Sequence, residues 1–362
     1  MLASIQKIID IQPIEGADKI SVATVLGWQV VVRKDQFKIN DLVVYIQIDT
    51  VCPELPFFEF LRNKNFRVKS IKLRGQVSQG LIIGIDELPM LNGKKLKEDN
   101  DVTELIGVTK FNKTIEVPDE KERIPKKWHL KLWYMFRYRY LYKWFPKLKP
   151  KTNTSFPSDI VSKTDEERIQ NKPFILEKYK GCVFNVSEKL NGSSITLICE
   201  TERFLFKNKN KYRVCSRNYE IYKKTNEWYK VFIDTNFKVY LNELMEYFTA
   251  KRIVVQGEYI GKPQGNPYKL SSNEIRLFNI YVDGKLLTPD QFSVACALYD
   301  IPRCPNLGNI ILDTNMQDLI KFAEGKSVLN NQVEREGVVL RDLDGKISYK
   351  VISNKYLLKN DE

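Results

Sequence analysis

This chain of 362 residues has a single histidine, His129. Ser-His-Asp triads, Cys-His pairs and multi-histidine metal centres are thereby all but excluded. The six cysteines (Cys52, Cys182, Cys199, Cys215, Cys296 and Cys304) are scattered, with no C-x-x-C pair. That spacing argues against a zinc site and against a secreted disulfide framework. No apolar run approaches the ~18–20 residues that a membrane-spanning helix needs. The opening stretch "MLASIQKIIDIQPIEGADKI" carries Lys7 and Asp10 too early for a signal peptide and has no small-residue cleavage site. These absences describe a soluble, reduced, intracellular protein, cytoplasmic or nuclear. Any catalysis must run on lysine, arginine, carboxylates and bound metal.

Positive charge is in excess. Lys and Arg number 58 against 45 Asp and Glu, for a net charge of +13 and a pI near 9.2. Such a balance points to a polyanionic partner, nucleic acid first. From Arg123 to Lys151 there are ten Lys/Arg and no acid, interleaved with Trp128, Trp133, Tyr134, Phe136, Tyr138, Tyr140, Tyr142, Trp144 and Phe145. The stretch "KKWHLKLWYMFRYRYLYKWF" reads as helical, lacking Gly and Pro until Pro146. Three readings stand for it: a helix packing its aromatics between domains, an RNA-contacting surface, or a basic amphipathic helix on a membrane surface.

The length suits two domains, and 43% hydrophobic content can fill two cores. Residues 1–110 read as β. "ISVATVLGWQVVVRK" gives two β-branched runs hinged at Gly27-Trp28, and "DLVVYIQID", "FRVKSIKLRG" and "QGLIIGID" follow as short strands. About five strands with polar loops suit a small OB-type barrel. Residues 111–160 form the basic aromatic connector. Residues 161–362 alternate β runs ("GCVFNVSEKL", "SSITLIC", "RIVVQGEYI", "IRLFNIYV", "EGVVLRD", "ISYKVIS") with a helix near "TNFKVYLNELMEYFTAKR". The expected fold class is α+β: an N-terminal OB-type β-barrel followed by a mixed α/β domain with antiparallel sheets.

The second half offers, in order, "EKLNG" (188–192), "VCSRN" (214–218), "VVQGEYIG" (254–261), "LFNIY" (277–281), "REGVVLR" (335–341) and "SYKVIS" (348–353). Each is weak alone, since most Lys-x-x-Gly stretches are surface turns. Together they resemble the six motifs of the covalent nucleotidyltransferase superfamily of polynucleotide ligases and capping enzymes. "KTDEERIQN" (163–171) and the N-terminal β-rich module resemble the nick-sealing, ATP-dependent RNA ligases with an N-terminal OB domain. The last domain is then a nucleotidyltransferase, or adenylyltransferase, domain.

The resemblance implies roles residue by residue. Lys189 is the nucleophile that takes AMP from ATP, and its amine must first lose a proton that an ordinary lysine holds up to a pKa of ~10.4. Gly192 lets the chain turn tightly there. Glu188 and Asn191 flank the lysine as nucleotide-binding residues. Asn191, where DNA ligases and capping enzymes commonly have Asp, favours the RNA ligase branch. Arg217 contacts the nucleotide and the acceptor 5′-phosphate, and Glu258 holds the ribose and metal waters. Phe278 stacks on adenine. Glu336 anchors a divalent ion, Mg2+ or Mn2+, and Lys350 neutralises the α-phosphate. The final motif departs from the family's K-x-K pattern, with Ser348 upstream and Lys346 or Lys355 as substitutes. In the N-terminal module, Lys72 and Arg74 are candidate phosphate contacts and Asp49 a candidate for metal water.

Twelve residues follow Lys350, too few for the trailing OB domain of DNA ligases and capping enzymes. The expected partners are ATP and RNA, as a nicked duplex, with the protein acting as a monomer. The alternatives are a GTP-using capping guanylyltransferase and a non-catalytic RNA-binding protein with a degenerate pocket.

Overall fold

The computed structural model describes residues 1–111, 128–137, 140, 142–144, 154–204 and 207–360. The chain forms two compact units. The first is Met1–Lys113, Glu166–Leu190 and Pro305–Glu362, and the second is Thr114–Asp165 and Asn191–Cys304.

In the first unit, alternation of apolar and polar residues sets a five-stranded antiparallel sheet. Its order is Trp28–Arg33, Ala17–Val25, Ala3–Ile14, Leu42–Ile46 and Leu81–Gly84. The hairpin expected at Gly27-Trp28 is present, with Leu26 in the left-handed region at φ 54°. A second hairpin, Ser70–Leu73 with Gln76–Gln79, lies against the outer strand, where Val31 N–H donates to Ser78 Oγ at 3.0 Å. One sheet face buries Ile5, Val44, Ile46, Phe58 and Phe66, and the other buries Ile8, Val25, Trp28, Val43 and Tyr45. This is the OB-type β module, and Ile352 and Leu357 from the end of the chain complete its second core.

The same unit carries a second five-stranded sheet. Its order is Glu167–Arg168, Ser348–Ile352, Gly337–Asp342, Val183–Lys189 and Asn306–Ile311. All pairings are antiparallel except the first. Val186, Val338, Leu340 and Val351 bury one face against the helix Met316–Ala323 through Leu319 and Ala323. Three polar contacts clasp this sheet to the β module. Gly27 N–H donates to the Gln170 carbonyl at 2.8 Å, Trp28 Nε1–H donates to Asn171 Oδ1 at 2.9 Å, and Arg168 Nη2 donates to Asp49 Oδ2 at 2.8 Å.

The second unit is built on a seven-stranded antiparallel sheet: Thr154–Ser155, Tyr219–Ile221, Lys207–Ser216, Ser193–Phe204, Arg252–Ile260, Glu274–Val282 and Lys285–Leu286. Helices Glu227–Asp234, Phe237–Tyr247 and Pro289–Leu298 bury Trp228, Phe232, Phe237, Leu241, Leu244 and Ala295 against Leu197, Val214, Val255 and Ile275. The helix expected near "TNFKVYLNELMEYFTAKR" is the second of these. Pro289–Leu298 starts on a capping box in which Thr288 Oγ1 accepts from Gln291 N–H. In the basic segment, a helix covers Trp128–Phe136, whereas 123–127, 138–139, 141 and 145–151 lie outside the described residues. No helix among the described residues is long and apolar enough to cross a membrane.

Burial acts to raise the pKa of Asp49, but the charges and hydrogen bonds of Arg168 and Arg67 outweigh it and hold the carboxyl below its ordinary value. A carboxyl with a depressed folded-state pKa stabilises the fold fully above its unfolded value, ~3.9. That stabilisation is lost as pH falls through the lower, folded value. The Asp49→Asn variant should therefore differ most from the parent in urea midpoint at neutral pH, and the gap should close in the acid limb. A gap that stays constant from neutral to strongly acid pH would contradict this account.

Candidate active site

The lysine strand Val183–Lys189 ends opposite the start of Gly337–Asp342, with Lys189 paired to Gly337 in register. This brings the preceding Glu336 onto the lysine, and Lys189 Nζ lies 2.7 Å from Glu336 Oε1. The side chains are 25% and 15% exposed, respectively, so the pair is mostly sheltered yet reachable. Ser187 pairs with Val339, and Val339 with Lys350. Cross-strand partners share a face, so Lys350 stands on the same face as Lys189.

Close approach of the strands demands glycine at 337. A Cβ there would lie 2.1 Å from the Val351 carbonyl oxygen and 2.9 Å from Ile352 Cα. Arg335, to which the motifs assign no role, fixes the approach to Glu336. Its guanidinium donates to the carbonyls of Phe322, Ala323 and Glu324, where helix Met316–Ala323 ends. An arginine just before the motif's "EG" was the available signal.

Glu188 does not join Lys189. Successive residues of a strand point to opposite faces, and Glu188 is 1% exposed in the interior. Its Oε2 accepts from Val328 N–H at 2.8 Å. Burial raises its pKa, opposed by bonds from Ser327 and Val328 and by the Arg335 charge. The side chain expected at the nucleotide thus supports the loop that leads to Glu336. Both oxygens of Asp49 take guanidinium N–H groups, Oδ1 from Arg67 and Oδ2 from Arg168, each at 2.8 Å. Lys346 pairs with Asp344 at 2.8 Å and Lys355 with Glu324 at 3.0 Å. Lys72 lines a cleft of about 680 Å3 with Lys64, Arg67, Lys69 and Phe111, whereas Arg74 sits in the hairpin turn at φ 46°.

In the second unit, the turn after the lysine strand is pinned on its own sheet. Asn191 N–H donates to Tyr268 Oη at 2.6 Å, and Ser193 Oγ accepts from Gln264 Nε2 at 3.1 Å. A Cβ on Gly192 would lie 2.7 Å from Glu258 Cγ and 2.6 Å from the Tyr259 carbonyl oxygen, so only glycine lets the turn rest on the Glu258 strand. Phe278 sits at a β-bulge, between Asn279 paired with Gln256 and Leu277 paired with Gly257. A bulge re-aims the extra side chain. Arg217 Nη2 lies 2.7 Å from Asp165 Oδ2, and Lys163 Nζ donates to Asn218 Oδ1 at 3.0 Å, which docks the start of "KTDEERIQN" on "VCSRN".

No group of three or more His, Cys, Asp or Glu that could hold a metal ion forms among the described residues. Glu336, beside Lys189, offers one carboxylate, which suits a hard cation that keeps most of its waters and binds substrate phosphates.

Residues 2–85 match an OB-fold domain model, and residues 183–357 match the RNA ligase family model. Over its full length the chain is 31% identical to Naegleria gruberi RNA ligase solved with PPi, covering 99% of that chain at a TM-score of 0.78. It is 30% identical to a lysine-to-alanine variant of the Naegleria gruberi enzyme with ATP and Mn, covering 100% of both chains at 0.77. For a glutamate-to-alanine variant with AMP and Mn the identity is also 30%, over 100% and 99% of the chains, at 0.76. No curated protein matches. An OB-fold domain ahead of an α+β ligase domain defines the class. The chain belongs to the RNA ligase family.

A Gly337→Ala variant should lose about 1–3 kcal/mol of stability through overpacking against backbone. It should also lose lysine reactivity, because Glu336 moves with it. A thermal melt and a nucleotide-labelling assay check both, and parental values in each would refute the register argument.

Proposed function

We propose that this RNA ligase is ATP-dependent and seals 3′-OH/5′-phosphate nicks through lysyl-AMP and RNA-adenylate intermediates. The observation that carries this reading is the contact of Lys189 Nζ with Glu336 Oε1 in a chain of this family. An ammonium held against a carboxylate has no lone pair for phosphorus, so Nζ first gives up a proton to water as that pair opens. Nζ then attacks the α-phosphorus of ATP, an N–P bond forms, and pyrophosphate leaves. The RNA 5′-phosphate takes AMP from Lys189, and the 3′-OH attacks the activated phosphate and expels AMP. Lys350, on the Lys189 face, neutralises the α-phosphate. Asn191 and Phe278 hold the nucleotide, Glu258 the ribose, and Arg217 the 5′-phosphate.

Glu336 and Glu258 serve as oxygen donors for Mg2+ or Mn2+, which when bound supplies charge neutralisation on the phosphates. Asp49, committed to two arginines, is left out of this set. The working domains are 1–110, 111–160 and 161–362, in a monomer that binds nicked duplex.

Incubation with α-labelled ATP and a divalent metal, followed by denaturing electrophoresis, tests the proposal. ATP-derived label should survive denaturation and fall by at least about 10³-fold in Lys189→Ala. Label from GTP alone would establish the capping reading, and none from either nucleotide the binding-protein reading. Sealing of RNA/RNA, RNA/DNA and DNA/DNA nicks then defines the substrate.

The basic cleft of the β module is proposed to track the duplex backbone. Lys64→Ala with Lys72→Ala should weaken nick binding and reduce the slope of log affinity on log salt by about 2. An unchanged slope removes the cleft from the RNA path.

A further inference from the structure

The loop 261–270 leaves the Glu258 strand, Arg252–Ile260, on the way to the Phe278 strand, Glu274–Val282. The motifs at 254–261 and 277–281 stop on either side of it, so none assigns a role to residues 262–276. Its backbone is tightly specified. Gly265, Asn266 and Lys269 lie in the left-handed region at φ 76°, 49° and 56°. Asn266 locks that shape by accepting from Leu270 N–H and donating to the Leu270 carbonyl, each at 2.8 Å. Lys262 N–H donates to Asn273 Oδ1 at 2.9 Å, and Asn273 Nδ2 donates to Tyr259 Oη at 3.1 Å. Left-handed backbone outside glycine persists where the surroundings over-determine it, and it gathers at functional sites.

What the loop holds is the turn 191–193. Tyr268 is 3% exposed, and its Oη accepts from Asn191 N–H at 2.6 Å. Gln264 Nε2 donates to Ser193 Oγ at 3.1 Å. Between these ties lies Gly192, where a Cβ would sit 2.7 Å from Glu258 Cγ. The turn is thus pressed between the Glu258 strand and the loop, all within the second unit. Asn191 stands two residues beyond Lys189 in the chain. A misplacement of about 1 Å at a reacting centre costs on the order of 10²-fold in rate, even when it originates in a residue remote from the chemistry.

We infer that Tyr268 is a positioning residue for lysine adenylylation: its hydroxyl fixes the backbone of Asn191 and with it the turn that follows Lys189. The inference rests on the roles proposed for Lys189 and Asn191 and goes beyond them, because Tyr268 acts through Asn191 rather than on the nucleotide.

The test compares the full chain with Tyr268→Phe, which deletes the acceptor oxygen and keeps the buried ring. Asn191 N–H then loses its partner, and its hydrogen exchange should quicken by about tenfold or more. At saturating α-labelled ATP with a divalent metal, the single-turnover rate constant for labelling Lys189 should fall by about tenfold or more, with the half-saturating ATP concentration moving less than about threefold. A merely structural role would instead lower the amount of protein labelled and leave the rate constant of the folded fraction unchanged. A parental rate constant, a change confined to the amount labelled or to the half-saturating concentration, or unaltered exchange at Asn191 overturns the proposal alone. If the parent itself takes no label from ATP, the adenylylation reading fails and this proposal falls with it.

Discussion

The ion pair of Lys189 and Glu336, 2.7 Å apart at the end of a sheet, is the constraint around which the first unit is arranged. Two opposite charges, both mostly sheltered from water, hold each other there. Meeting at that distance requires a register in which Lys189 faces Gly337. It also requires a glycine at 337, because Val351 and Ile352 leave no room for a Cβ. The chain entering Glu336 is fixed from two directions, by Arg335 on the last carbonyls of the helix Met316–Ala323 and by the buried Glu188 carboxyl on Val328. Glu188 and Lys189 are neighbours in sequence and divide the work between two sheet faces.

The second unit enters the chain between those halves. The lysine strand is finished at residue 189, and the chain then builds Asn191–Cys304 before returning at Pro305. Only afterwards are Glu336 and Lys350 laid beside the lysine. Such non-local pairing is slow to form because loop closure precedes the contacts that stabilise it. The inserted unit has its own core, with three helices buried on a seven-stranded sheet. It can therefore fold as a body while the sheet that receives Glu336 waits for its last strands.

Much of this was legible in the sequence because the signals were local. Apolar alternation gave the strands bearing Lys189, Glu258, Phe278 and Lys350, and the Gly27-Trp28 hinge gave the first hairpin. Strand alternation also carries the placement of Glu188: a residue next to the sheltered Lys189 on a strand faces the other way. The remaining features depend on partners distant in sequence. Nothing local announces that Asp49 meets Arg67 and Arg168, that Arg335 caps a helix, or that Tyr268 pins Asn191. The bulge at Phe278 exists only in the pairing of two strands, and its position cannot be read from either strand alone.

Arg168 joins the OB-fold domain to the chemistry. One of its guanidinium nitrogens grips Asp49, while its backbone pairs in parallel with Lys350. The residue that holds the β module in place is thus the immediate neighbour of the cation proposed for the α-phosphate. The end of the chain strengthens the connection, since Ile352, two residues beyond Lys350, is buried in the β-module core with Leu357. Separating the module from this sheet would expose those apolar side chains, open the Gly27–Gln170 and Trp28–Asn171 hydrogen bonds, and leave guanidinium charge uncompensated beside Lys350. The strand Ser348–Ile352 therefore serves both parts of the first unit: its Lys350 face belongs to the reactive sheet, and its end belongs to the core of the OB-fold domain.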